Sequence, residues 1–186
     1  MCPDLSALPL LQLDCGVAVL RAWRADDLDS LVANASDENV SHGLRDRFPY
    51  PYTGNDGRAW LARAVDESDR SWAIEIAGAA VGGVSLHPGT NVHRHCAELG
   101  YWIGRRFWGR GIVTTVVARF ADYAMSTFRL HRLYATVYAN NPASARVLEK
   151  AGFEREGVQR CAVVKRGDLL DLLVYARVRE PLESAS

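Results

Sequence analysis

The strongest periodic pattern of the chain is an apolar stripe in its second half. Its members recur at intervals of three and four residues over about five helical turns. They are Ile112, Val113, Val116, Val117, Phe120, Ala121, Ala124, Met125 and Phe128. A shorter helix is marked by its ends, with Asn141 as N-cap, Pro142 at the first position and Gly152 after the last turn. These patterns predict helices over 111–128 and 142–151.

Apolar runs bounded by turn residues predict the strands. They cover 17–23, 71–77, 80–87, 96–104, 132–139, 153–159 and 169–178. Two further helices, one opening at Ala25 and one over 56–67, lie between the first two strands. Two prolines exclude a helix over 47–53 and leave an aromatic loop. This order of elements predicts a mixed α/β sheet with helices packed on it.

The length of 186 residues is typical of one domain with a sizeable core. We expect that domain to cover 16–179, between an N-terminal arm over 1–15 and a frayed tail over 180–186. The chain starts without the basic segment of a signal peptide, and no apolar run approaches the roughly 20 residues that span a bilayer. Lys plus Arg equals Asp plus Glu, 22 against 22, which argues against nucleic acid or a membrane surface as partner.

The cysteines and histidines give no sign of a metal site. Cysteines stand far apart, at Cys2, Cys15, Cys96 and Cys161. Their spacing favours free thiols in a reducing cytosol, so we expect a cytoplasmic protein. His93 and His95 form an HxH pattern, but no neighbouring Asp, Glu or Cys completes a ligand set, and a turn between strands explains them better. We therefore expect no metal.

The loop between strand 96–104 and the long helix carries the chemistry. Glycines at 109 and 111 let a ligand approach the backbone, and main-chain N–H groups over 106–112 are expected to lack partners at the start of the helix. Positive side chains flank them at Arg105, Arg106 and Arg110. Such a loop is suited to a pyrophosphate. It is not a Walker A motif, and Thr114 replaces the third glycine of a dinucleotide fingerprint.

The pattern Arg106-x-x-Gly109-x-Gly111 between a strand and a long helix resembles the acyl-CoA signature of the GCN5-related N-acetyltransferases (GNAT). Further segments resemble this family in the same order. They are Phe48–Pro51, Val81–Val84, Ala97–Ile103, Asn141–Ser144 and Leu148–Phe153. The nearest resemblance is to the branch that acetylates the N-termini of ribosomal proteins, and it covers about residues 17 to 178.

The resemblance implies a GNAT fold, with a central twisted and mostly antiparallel sheet, one splayed parallel strand pair and helices on both faces. It also implies acetyl-CoA as cosubstrate, with the pantetheine arm along Leu99–Ile103 and the thioester near Glu98. The expected cofactor-binding residues are Tyr101, Trp102, Ile103, Arg106, Phe107, Trp108, Gly109, Arg110, Gly111, Ile112, Asn141 and Ser144.

Glu98 is the first candidate for a base or an amine-orienting group. Strand alternation places it on one face with Gly100 and Trp102, and the missing side chain of Gly100 is expected to leave open space beside the carboxylate. The alternative is an ordinary surface glutamate. Asn141 is expected to cap its helix, and the resemblance adds a role near the cofactor. Ser144 is a candidate donor to the leaving sulfur, or it bonds locally to the backbone.

One position departs from the family. Many relatives carry a tyrosine four residues after Ser144 as general acid, and this chain has Leu148 there. The departure leaves Ser144, or a thiolate that leaves without full protonation. It also keeps open a different class of function, that of a CoA-binding regulatory module without catalytic activity.

An α-amine suits a modest base better than a lysine does, because its pKa is near 8 against about 10.4 for lysine. A peptide or protein N-terminus is therefore the leading acceptor. Phe48, Tyr50 and Tyr52, with Glu98, are candidates to line its pocket, although these aromatic residues equally suit loop anchoring. The alternatives are a small amine, such as an antibiotic or polyamine, and succinyl transfer with Arg94 near the acyl end. The oligomeric state is left open, with a homodimer as one candidate.

Overall fold

The computed structural model describes residues 12–65 and 70–179, and a mixed sheet forms its centre. Its strands are β1 (Leu13–Asp14), β2 (Val19–Ala22), β3 (Ser71–Ile76), β4 (Ala79–Pro88), β5 (Cys96–Ile103), β6 (Arg132–Tyr138), β7 (Glu154–Lys165) and β8 (Asp168–Val178). They lie in the order β1-β2-β3-β4-β5-β6-β8-β7. Only β5 and β6 pair in parallel among these neighbours, so the predicted mixed α/β sheet, mostly antiparallel with one parallel pair, is confirmed.

The helices are α1 (Leu28–Ala35), α2 (Glu38–His42), α3 (Gly54–Val65), α4 (Ile112–Thr127) and α5 (Pro142–Lys150). The predicted long helix is α4, and its bounds agree to within one residue. Helix α2 was not predicted, because five residues are too few for an apolar period to show. None of the described helices is long and apolar enough to cross a membrane.

Strand β7 is longer than its predicted span of 153–159 and continues to Lys165. Most of its side chains are exposed, so its last part lacks the apolar pattern from which strands are predicted. Its backbone pairing with β8 extends it, with irregular register between Gln159 and Val163. At the other end of the sheet, Leu13–Asp14 pairs with β2. Residues 1–11 of the expected arm, the end of the helix predicted over 56–67, and the expected tail lie outside the described residues.

The two faces of the sheet carry different helices. Helix α4 covers one face, where Phe120 is fully buried and its ring centroid lies 5.0 Å from that of Trp72. Burying one such side chain contributes about 2 kcal/mol. Helices α1 and α3 cover the other face through a second cluster that includes Trp23, Leu31 and Leu61. The sheet is thus buried on both faces over its centre, as a helix-covered α/β fold requires.

The parallel pair separates after a short stretch. Strands β5 and β6 align at Cys96–Arg132, Ala97–Leu133 and Glu98–Tyr134 and pair no further. Beyond Glu98, β5 continues along β4 and β6 continues along β8. The edge of Leu99–Ile103 that faces β6 therefore has no partner strand among the described residues, and a cleft opens there.

Candidate functional site

A cavity of about 910 Å³ begins where β5 and β6 separate. Its walls come from β4, β5, β6, the start of α5 and the loop over 43–49. Glu98, Asn141 and Ser144 line it together with the aromatic residues Phe48 and Tyr52. The fold therefore brings the candidate catalytic residues and two of the predicted pocket residues to one cavity.

The loop from β5 to α4 forms a short 3-10 turn over Arg105–Phe107 before its two glycines. Gly109 and Gly111 have φ angles of 72° and 74°, a region that favours glycine. A Cβ on either residue would meet nothing within 4 Å. Backbone conformation, rather than crowding by the protein, explains both glycines.

The main-chain donors of this loop differ in part from the prediction. The N–H groups of Phe107 and Trp108 donate to Gly104 O and Arg105 O, at 2.9 and 3.0 Å. The expectation that donors over 106–112 are unpaired is wrong for these two, because the 3-10 turn uses them. In the described part of the chain, the N–H groups from Gly109 to Ile112 donate to no acceptor. The candidate anion site is therefore the start of α4, where the helix dipole adds positive charge.

The arginines of the loop differ in their surroundings. Arg105 lies 3.9 Å from a carboxylate oxygen of Asp37, which offsets part of its charge. The guanidinium carbons of Arg106 and Arg110 lie 4.9 and 5.8 Å from the ring centroid of Phe107. Within residues 12–65 and 70–179, neither of these two pairs with a carboxylate, so both charges are available to an anion.

Trp108 fastens the loop to the end of β5. Its indole Nε1 donates to Ile103 O at 2.9 Å, while the side chain stays half-exposed. Trp108 and Phe107 therefore shape the loop, and the unpaired N–H groups lie just after them. Ile112 is buried and begins the apolar stripe of α4.

Glu98 lies at the last aligned position of the parallel pair. Its Oε1 accepts a hydrogen bond from Arg45 Nη2 at 2.6 Å and one from Thr136 Oγ1 at 3.2 Å. The sequence offered no signal for Arg45, which lies in a loop 53 residues away. A cationic amine would compete with this guanidinium for the Glu98 carboxylate.

The space expected beside Gly100 is occupied by Ser85. A Cβ at Gly100 would lie 2.5 Å from Ser85 Oγ, so glycine is needed there to accommodate the hydroxyl. Ser85 Oγ forms a hydrogen bond of 3.1 Å with His87 Nε2. Register places Ser85 opposite Gly100 and His87 opposite Glu98, on one face of the sheet. Sequence reasoning missed Ser85 and His87, although their alternation along the predicted strand could have revealed them.

The far wall of the cavity is the start of α5. Asn141 Oδ1 accepts from the N–H of Ser144 at 3.2 Å, which confirms the predicted helix cap. The hydroxyl of Tyr101 lies 2.8 Å from Ser144 Oγ and donates to Ser144 O at 3.1 Å. Burial raises the pKa of Tyr101 to about 12, although its bond to Ser144 opposes the shift. Leu148 is fully buried in the core, so the helix itself supplies no acid there.

The predicted aromatic residues divide between two environments. The ring of Phe48 lies 4.9 Å from that of Tyr52 and 5.3 Å from that of Trp102, measured between centroids. This cluster walls the cavity on the side of α1 and α3. Tyr50 does not line the cavity; it is half-exposed, with the guanidinium carbon of Arg166 5.9 Å from its ring centroid.

The tip of the β7–β8 hairpin reaches the loop that follows α2. Lys165 Nζ lies 2.7 Å from Asp46 Oδ1, and the Lys165 side chain is only 4% exposed. Arg166 Nη1 lies 2.6 Å from Glu38 Oε1. These ion pairs join the hairpin to α2 and to the loop that follows it, and Val163 of β7 lines the cavity.

The remaining candidates lie elsewhere. His93 belongs to a 3-10 turn before β5, and Arg94 follows it there, outside the cavity wall. Among the described residues, no group of three His, Cys, Asp or Glu side chains could hold a metal ion. Cys15, Cys96 and Cys161 are free thiols, and Cys2 lies outside the described residues.

Comparison with known proteins agrees with this geometry. Residues 18–154 match the acetyltransferase (GNAT) domain family. YoaA of Bacillus subtilis (strain 168), an uncharacterized N-acetyltransferase, is 29% identical over 92% of this chain and 97% of its own. YdaF of the same organism, provisionally named a ribosomal N-acetyltransferase, is 34% identical over 67% of each chain. RimL, a ribosomal L7/L12 α-N-protein acetyltransferase solved with coenzyme A, has the same fold, with a TM-score of 0.78 at 20% identity over 91% of this chain and 96% of its own.

Proposed function

Because the chain belongs to the GNAT acetyltransferase family and is an acetyl-CoA-dependent N-acetyltransferase, we propose that its acceptor is the α-amine of a peptide or protein N-terminus. The observation that carries the proposal is the position of Glu98. Its carboxylate lies where β5 and β6 part, in a cavity that contains Ser144 at one side and Phe48 at the other. The catalytic unit would cover 16–179.

The loop before α4 would hold the pyrophosphate of the cosubstrate. Its N–H groups from Gly109 to Ile112 are unpaired in the described chain, and Arg106 and Arg110 add charge. The free edge of Leu99–Ile103 offers N–H and C=O groups to the amides of the pantetheine arm, as an open strand edge does for a peptide. Acetyl-CoA supplies a thioester carbonyl that an amine attacks directly.

The residues around the cavity supply orientation and protons. Glu98 would hold the acceptor amine by charge, displacing or sharing the bond from Arg45. Ser144 would donate to the sulfur as the thiolate leaves, supported by the hydroxyl of Tyr101. Asn141 fixes the helix start that presents Ser144.

Two arguments favour an α-amine over a lysine. About a tenth of an α-amine is neutral at pH 7, whereas less than a thousandth of a lysine is neutral there. The name of YdaF also refers to the ribosome, and RimL is named as a ribosomal L7/L12 α-N-protein acetyltransferase. Both arguments support the acceptor class without choosing a particular protein.

An acceptor panel tests the proposal. The full chain is incubated with acetyl-CoA and equal concentrations of four acceptors, and the release of free thiol is followed. The four acceptors are a lysine-free peptide with a free N-terminus, the same peptide with a blocked N-terminus and one internal lysine, a polyamine and an aminoglycoside. We expect the free N-terminal peptide to have the highest kcat/KM. A higher value for either small amine, or for the lysine, would overturn the proposed acceptor.

A further inference from the structure

We propose that Ser85 and His87 form the route by which the acceptor amine loses its proton before it attacks the thioester. The inference rests on the proposed position of the amine beside Glu98, but not on whether that amine belongs to a peptide. Both residues lie on β4 and belong neither to the phosphate loop nor to the start of α5, so no role has yet been given to them.

Glu98 by itself is poorly placed to take the proton. Its Oε1 already accepts from Arg45 and from Thr136. A proton on this carboxylate would remove the negative charge to which Arg45 and Thr136 donate. Glu98 is therefore better suited to hold a positive amine than to neutralise it.

A second group with suitable chemistry lies directly across the strand pair. His87 is opposite Glu98 and Ser85 is opposite Gly100, so Cβ atoms at facing positions are about 5 Å apart. Ser85 and His87 both line the cavity that contains Glu98. The Ser85 hydroxyl lies over Gly100, at 2.5 Å from the position that a Cβ would take there. An amine held by Glu98 thus lies beside the Ser85 hydroxyl.

The proton transfer balances through these groups. The ammonium gives one proton to Ser85 Oγ while the hydroxyl proton passes to His87 Nε2 across their 3.1 Å hydrogen bond, leaving an imidazolium. The neutral amine then attacks the thioester carbonyl. As the C–S bond breaks, the nitrogen loses its second proton to solvent, and Ser144 passes its hydroxyl proton to the leaving sulfur and regains one from solvent. The imidazolium then releases its own proton to solvent. An imidazole with a pKa near 6.5 is a suitable acceptor from an α-ammonium near 8.

Other groups in the cavity influence that imidazole. Charged residues that line the cavity come from β5, from the loop after α2, from α3 and from the segment before β3. They are Glu98, Arg45, Asp46, Arg47, Asp56, Arg63 and Arg70. Tyr138 on β6 also lines the wall, and Tyr134 lies opposite Glu98. Carboxylates near an imidazole favour its charged form, and guanidinium groups oppose it.

The first test is the pH profile of kcat/KM with the best acceptor of the panel, for the wild type and for His87→Gln and Ser85→Ala. If Ser85 and His87 relay the proton, His87→Gln should lose about 10-fold at pH 7 and about 30-fold at pH 6.5, because only that fraction of an α-amine with a pKa near 8 is already neutral. Most of the activity should be recovered near pH 9, where the amine is neutral without help. Ser85→Ala should lose less, with the same pH dependence, and KM for acetyl-CoA should not change. His93→Gln, outside the cavity, is the matched control.

A loss of equal size at every pH, or no loss in either variant, would overturn the relay. A second measurement needs no acceptor and covers the case of a variant that folds poorly. The tautomer of His87 is read from its ring nitrogens by long-range ¹H–¹⁵N NMR of the wild-type protein. The relay requires neutral His87 to carry its proton on Nδ1, so that Nε2 accepts from Ser85. A proton on Nε2 would exclude it, even if the peptide N-terminus proves to be the acceptor.

Discussion

The phenolic hydroxyl of Tyr101 lies 2.8 Å from the hydroxyl of Ser144. Tyr101 is on β5 and Ser144 is on α5, so the contact joins one edge of the parted strands to the helix across the cleft. At position 148 this helix carries a buried leucine, where the sequence resemblance to the family implies a tyrosine acid. A tyrosine hydroxyl nevertheless reaches the same serine from a neighbouring strand.

This contact predicts unequal, non-additive losses. Ser144→Ala should lower kcat about 10- to 100-fold, because the leaving thiolate loses its nearest donor. Tyr101→Phe should lower kcat only a few-fold, because Tyr101 acts through Ser144. The double variant should match Ser144→Ala alone. Steady-state kinetics checks this, with Tyr123→Phe on α4 as control, and additive losses would show that the two hydroxyls act separately. Since the pKa of Tyr101 is about 12, its hydroxyl should keep its proton throughout assays up to pH 10.

The two glycines of the phosphate loop predict a selective loss of cosubstrate binding. Alanine at Gly109 or Gly111 must adopt a positive φ, at a cost of about 1–2 kcal/mol, and would move the adjacent N–H groups. Each change should raise KM for acetyl-CoA about tenfold, while KM for the acceptor stays the same. Gly78→Ala is the matched control, because Gly78 also has a positive φ and open space around it but lies in the β3–β4 turn. Equal effects at all three positions would mean that only stability had changed.

The ion pair between Arg45 and Glu98 predicts competition with the acceptor. If the amine binds Glu98, then Arg45→Gln should lower KM for the acceptor several-fold and leave KM for acetyl-CoA unchanged. The Arg45 side chain is 58% exposed, so the pair should contribute less than about 1 kcal/mol to stability. Arg166→Gln removes a comparable ion pair with Glu38 and serves as control. A rise in KM for the acceptor would instead show that Arg45 itself binds the acceptor.

A buried ion pair near the start of the domain predicts a large effect on stability alone. Two nitrogens of Arg21 each lie 2.7 Å from a carboxylate oxygen of Asp27, and both side chains are almost fully buried. Asp27→Ala leaves the buried guanidinium with Glu75 as its remaining carboxylate partner and should destabilise the fold by about 2 kcal/mol. Chemical denaturation measures the loss. Asp122→Ala, whose carboxylate pairs with Arg177 at the surface, should change stability by less than about 1 kcal/mol.

Local features of the chain were predictable because they depend on neighbours in sequence. Helix α4 follows from its apolar period and α5 from its Asn-Pro start, and the structure confirms both. The positive φ angles at Gly109 and Gly111 are likewise a local property. The same reasoning missed α2, which is one turn long, and the end of β7, whose exposed side chains carry no period.

The sequence by itself determined the order of the elements, the loop for an anionic ligand and the identity of Glu98 as a candidate. Only the tertiary structure decided which side chains meet there. Arg45 and Glu98 are 53 residues apart, and Tyr101 and Ser144 are 43 apart. Ser85 and His87 face Gly100 and Glu98 through the register of β4 on β5. Strand register and the separation of β5 from β6 result from packing of the whole sheet, so no short stretch of sequence specifies these contacts.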